Sequence, residues 1–287
     1  MKKPLYISTL YEQQRFSSRI GILISSIFII ITANFLGITV LNLYDAIVLP
    51  LHKFYDSKIM SYIYEIIPFF IALIEILILI KIVDRLSPFT IGFSKKNIIK
   101  MCLLGGIIGI LLCSLFILLL TFMTHVTIVK NTDTRFDFLI LMFFGFIIQS
   151  TTEEVLFRGW IFSKLWANTN IYTAVFLNSL LFALMHLDNK NISLLYFVAI
   201  FLFGFLMSLF MIVTNNLLFV SFAHGLWNFC IGGIWGIDRA KVFTSIYQTI
   251  VPLYYSGNTS EIIVLLLTIV VVLFYLNIKK ILLFYSK

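Results

Sequence analysis

The feature that most limits what this chain can fold into is a succession of apolar stretches running almost end to end. Eight are long enough to matter: Ile20–Leu43, Tyr62–Val83, Ile98–Met123, Phe136 to about Leu165, Ile171–Leu187, Ile192–Val213, Leu217–Ile234 and Glu261–Phe284. About 20 apolar residues carry a helix across the hydrocarbon of a bilayer. Inside lipid the backbone finds no water to bond, so each crossing segment must satisfy its own hydrogen bonds as a helix. The expected fold is therefore all-α, a polytopic membrane helical bundle of about eight transmembrane helices, forming a single integral membrane domain over residues 1–287. Composition agrees: 61% of residues are hydrophobic and 12% charged, against about half and about a quarter in soluble domains. The first apolar run is too long for a signal-peptide core and is expected to stay as the first span.

The net charge is +8. In a soluble protein that balance suggests a nucleic-acid partner. Here the basic residues fall in short loops and at the termini, where topology and anionic lipid account for them, and no nucleic acid is expected. With the N-terminus inside, the cytoplasmic side carries about twice as many Lys and Arg as the other. Both termini of a multi-pass cell-membrane protein are then expected in the cytoplasm. Cys102, Cys113 and Cys230 all lie in apolar runs without zinc-ribbon or CxxC spacing and read as small buried hydrophobes. Glu75, midway along its span, reads as a partner for a neighbouring helix or part of a cavity wall, and Glu65 as interfacial. His52 and His125 read as solvated loop histidines.

Three polar clusters interrupt the apolar background. The first is Glu153-Glu154 with Arg158, inside the fourth span. A charge at bilayer depth costs on the order of 3 kcal/mol even on the lenient insertion scale. In a helix, Glu154 and Arg158 are four apart and can pair, whereas Glu153 points about 100° away and needs a different partner. The second is Phe182-Ala183-Leu184-Met185-His186, near the end of the fifth span. The third is His224-Gly225-Leu226-Trp227-Asn228, whose two polar residues share one face of the seventh. If Asn168-Thr169-Asn170 turns an antiparallel helix pair, Glu153 and His186 sit at similar depth, about 16 and 17 residues from the turn. His224 is only about seven residues into its span, nearer the cytoplasmic face unless the Ser163–Asn170 tip projects past the membrane.

A carboxylate beside an imidazole can hold and deprotonate a water, and a second imidazole with an amide can donate to a developing oxyanion. The set suits hydrolysis of an acyl bond, most plausibly a peptide. Zinc is the competing chemistry, with Glu153, His186 and His224 as its ligands, although no HExxH is present. P-loop, dinucleotide-binding and GxSxG signatures are also absent.

At these residues the chain resembles the CPBP intramembrane protease family, which includes type II CAAX prenyl endopeptidases and Abi bacteriocin-immunity proteins. The family pattern of EExxxR, FxxxH and HxxxN or HxxxD is matched by Glu153-Glu154…Arg158, Phe182…His186 and His224…Asn228, within a catalytic core at residues 136–235. The resemblance implies an intramembrane endopeptidase that cuts a membrane-associated protein or peptide. It assigns water activation to Glu153 with His186, and oxyanion stabilisation to His224 and Asn228. Glu154, Arg158 and Phe182 take supporting roles. No cofactor is required on this mechanism. The alternative that the resemblance carries is a non-proteolytic membrane interaction protein, serving bacteriocin self-immunity or sensor regulation.

Overall fold

The computed structural model describes residues 57–83, 85, 87–124, 126–187, 193–237, 245–250 and 258–285, with seven isolated positions before them. In chain order come α1 (Ser57–Val83), a 3-10 turn (Pro88–Ile91), α2 (Ile98–Met123), β1 (Thr127–Lys130) and α3 (Phe136–Glu154). A π-helical stretch (Val155–Ile161) then joins α3 to α4 (Phe162–Asn168) as one rod. After it come α5 (Ile171–Met185), α6 (Leu194–Thr214) and α7 (Leu217–Phe229), the last prolonged by a second π-helical stretch (Cys230–Trp235). β2 (Tyr247–Ile250) and α8 (Asn258–Tyr285) complete the described chain.

Among the described residues, six helical segments are long and apolar enough to cross a membrane: Ile59–Ile82, Ile98–Met123, Phe136–Asn168, Leu194–Thr214, Leu217–Trp235 and Thr259–Asn277. The protein is thus a multi-pass membrane protein. Apart from a few single positions the expected first span, Ile20–Leu43, lies outside the described residues, as do His52, His125 and both termini. The fifth expected span is shorter than its apolar run: α5 covers 15 residues, about 22 Å, less than the hydrocarbon thickness.

Polar residues between the runs end and start the helices. Asn170, Ser193 and Asn216 cap α5, α6 and α7, each side chain accepting from backbone N–H groups of the first turn. Gly236 takes φ 58° and ends the second π stretch, a conformation glycine adopts without steric cost.

One feature departs from an all-helical chain. β1 and β2 pair antiparallel, Thr127 opposite Ile250 and Lys130 opposite Tyr247. Their sheet closes over the end of α7: Ile246 N–H donates to Gly233 O at 3.0 Å, Thr249 Oγ1 donates to Trp235 O at 2.8 Å, and Tyr247 stacks on Trp235. Four-residue strands carry too weak an alternation to stand out between long apolar runs.

α2 and α7 pack with their backbones in close approach. A Cβ built on Gly105 would lie 2.2 Å from Phe219 O, and one on Gly109 would lie 2.2 Å from Ala223 O. Small residues four apart let two backbones meet without a driving force from water. This contact holds α7, the carrier of His224 and Asn228. Cys113 and Cys230 are buried and Cys102 partly so, and all three are free thiols. Arg158 and Lys164 are wholly buried. Lys164 Nζ sits 4.3 Å from the Trp160 ring centroid. These two cations therefore belong to the interior and not to the loops that set orientation.

Candidate active site

Past Asp137 in its first turn α3 is apolar until Gln149, and then six polar residues follow in succession, Gln149 to Glu154. Their directions alternate around the helix, so neighbours in sequence face different surroundings. Thr152 points to α1, donating to Phe69 O at 2.9 Å as well as to Ile148 O in its own helix. Ser150 points to α7 and accepts from Asn228 Nδ2 at 3.4 Å. Glu154 is wholly buried, and Glu153 lines a cavity of about 590 Å³.

Glu154 Oε1 accepts two hydrogen bonds, from Arg158 Nη1 at 3.0 Å and from His224 Nδ1 at 2.8 Å. The expected i, i+4 pair therefore forms. Arg158 is held further by Nη2, which donates to Gly204 O on α6 at 2.9 Å, and by the Phe182 ring, whose centroid lies 4.4 Å from the guanidinium carbon. The sequence offered no sign that Glu154 would bond His224. Because the carboxylate can only accept, His224 carries a proton on Nδ1, and its other nitrogen is set toward the cavity. There Nε2 lies 4.0 Å from Glu153 Oε2, too far for a direct hydrogen bond and close enough for one water to reach both.

His224 thus shares the depth of Glu153. The reason is that α7 begins well up the α3–α4 rod. Gly159 packs at 3.3 Å from Leu217 Cδ2, measured from a built Cβ, and Leu217 N–H bonds Gly92 O. The rod continues past that level to Asn168, so the tip projects beyond the start of α7.

His186 caps the C-terminus of α5 and lines the same cavity. Its Nδ1 donates to Phe182 O at 2.8 Å, which leaves Nε2 available. The Phe182 ring neighbours both imidazoles, its centroid 4.7 Å from that of His186 and 6.2 Å from that of His224. Phe182 therefore packs against Arg158 and both histidines at once. Glu153, His186, His224 and Asn228 all line the one cavity, while Glu154 and Arg158 do not. Apolar side chains including Phe69, Ile76, Phe146, Met185, Ile200 and Trp227 make up much of the remaining wall.

Glu65 also lines this cavity and Glu75 does not; among the described residues Glu75 Oε2 is buried without a hydrogen-bond partner. Three residues of the site were missed in the sequence: Gln149, Ser150 and Thr152. The signal for them was the polar run itself, unusual within a membrane span.

Among the described residues, no three His, Cys, Asp or Glu side chains gather as a ligand set. Glu153, His186 and His224 nevertheless border one space, and each histidine bonds a protein oxygen through Nδ1, the arrangement that leaves Nε2 as the nitrogen facing a water or a metal ion.

No curated protein matches the chain. Residues 135–230, however, match the family described as type II CAAX prenyl endopeptidase Rce1-like. The matched segment runs from just before α3 to the end of α7 and contains Glu153, His186, His224 and Asn228 together with Glu154 and Arg158. Through this segment the chain is similar to the Rce1-like type II CAAX prenyl endopeptidases, a family of membrane proteases.

Proposed function

We propose that the protein is an intramembrane endopeptidase that hydrolyses a peptide bond of a membrane-associated protein or peptide, with Glu153 as the base. The observation that carries this is the meeting of Glu153, His186, His224 and Asn228 at one cavity within a membrane bundle. Glu153 Oε2 takes a proton from water, and the water oxygen adds to the scissile carbonyl carbon. His186 Nε2 is a second acceptor that helps hold the water. The carbonyl oxygen gains negative charge and is met by Asn228 Nδ2–H and, when the ring is protonated, by His224 Nε2–H. Collapse of this intermediate breaks the C–N bond, and Glu153 returns its proton to the leaving amine. Glu154 and Arg158 act through His224: the buried pair fixes the ring, so that Nε2 faces the cavity. A low-dielectric surrounding strengthens each of these interactions.

The test is cleavage of a peptide pool with hydrophobic C-termini by purified protein in liposomes, with and without a chelator. Glu153→Gln should lower kcat by about 10²–10⁴-fold, the contribution of a positioned general base, while the variant inserts and accumulates normally. Retained cleavage by this variant would refute the mechanism. Activity that disappears with chelator and returns with zinc would refute its metal-free form. A phenotype that survives Glu153→Gln but is lost when Arg158 is replaced would instead favour a non-proteolytic interaction protein.

A further inference from the structure

We propose that Gln149 is a positioning residue for this site: it holds one oxygen of Glu153 and thereby turns the other toward His224 Nε2. The inference rests on the peptidase reading only for the reaction it serves. Gln149 lies one turn before Glu153 on α3, on the same helix face, and lines the same cavity. Its Nε2 donates to Glu153 Oε1 at 3.5 Å. Among the described residues this is the hydrogen bond that Glu153 receives. Its other oxygen, Oε2, is buried and without a hydrogen-bond partner, 4.0 Å from His224 Nε2. The two oxygens of one carboxylate are thereby made unequal.

An amide suits this task for a chemical reason. A Lys or Arg at position 149 would tether Glu153 equally well, but its charge would also oppose proton uptake by the base. A Gln orients the group without adding charge. The charged and titratable groups around Glu153 are Glu154 and Arg158 on its own rod and His224 from α7. Across the cavity stand Glu65 from α1, His186 from α5, Tyr196 from α6 and Glu261 from α8. None of these bonds Oε1, and no residue of EExxxR, FxxxH or HxxxN takes that role.

The test replaces Gln149 with Met, which has similar volume and no donor. Two properties are read. One is kcat and KM on a peptide that wild type cleaves. The other is the pair of infrared carboxylate stretches belonging to Glu153, identified by their loss in Glu153→Gln and recorded without substrate. The expected result is a kcat lowered about tenfold, the order set by losing one weak hydrogen bond to a charged group, with KM unchanged and an altered splitting between the two stretches. Unchanged splitting, or a raised KM with unchanged kcat, overturns the proposal; the second result would make Gln149 a substrate contact. Altered splitting in a protein whose wild type cleaves nothing supports the Glu153 contact and counts against the peptidase reading, so the two failures are distinguishable. Gln149→Leu, read by the same bands, serves if the Met variant does not accumulate.

Discussion

Replacing Arg158 with Leu is the sharpest test of how the site is held together. Both side chains of the Arg158–Glu154 pair are wholly buried, and their contact is 3.0 Å. Arg158 also donates to Gly204 O at 2.9 Å and packs on Phe182. Removing it leaves the Glu154 carboxylate in the interior with His224 Nδ1 as its remaining donor. Breaking a buried pair by deleting one partner costs about 3–5 kcal/mol, since the surviving charge is no longer compensated. At about 1.4 kcal/mol per decade, the unfolding equilibrium should shift by roughly two to three and a half decades. Glu154→Leu should cost a similar amount, because Arg158 is then left with a neutral carbonyl. The double variant removes both charges and should be less unstable than the two single losses added together, by about 0.5–3 kcal/mol. Reversible unfolding in mixed micelles, followed by tryptophan fluorescence, measures all three. A loss below about 1 kcal/mol for Arg158→Leu, or a strictly additive double variant, would refute a coupled buried pair.

Two further outcomes follow from the packing around the site. Gly109→Ala places a methyl 2.2 Å from Ala223 O, so α2 and α7 must separate at a cost of about 1–3 kcal/mol. Unfolding midpoint and peptidase activity should fall together, because α7 carries His224 and Asn228. Gly106→Ala is the control: its methyl meets nothing closer than Leu226 Cγ at 3.4 Å, and it should be tolerated in both measurements. Thr152→Val removes the hydroxyl that ties α3 to Phe69 O without changing side-chain shape. It should cost about 0.6 kcal/mol, the mean for a hydrogen bond between membrane helices, again read by mixed-micelle unfolding.

The helices, their order and one contact of the site were legible in the sequence, because each depends on groups close together in the chain. Lipid leaves a long apolar segment one way to satisfy its backbone, so Ile98–Met123 could be bounded to the residue. A spacing of four in a helix fixes a shared face, so the Glu154–Arg158 pair could be expected before any fold was known. The sequence also marked Glu153, His186, His224 and Asn228 as polar groups too costly to leave in lipid. It did not contain the hydrogen bond from His224 to Glu154, which joins helices distant in the chain. Nor did it contain the depth of His224, which follows from where α7 starts along the α3–α4 rod. Ser150 and Thr152 find partners on α7 and α1, and the two short strands find each other across the start of α3 and the end of α7. Periodicity and spacing tell which face of a helix a residue occupies. What that face meets depends on how the helices pack, and so the tertiary structure decided which oxygen of which glutamate each nitrogen of His224 would face.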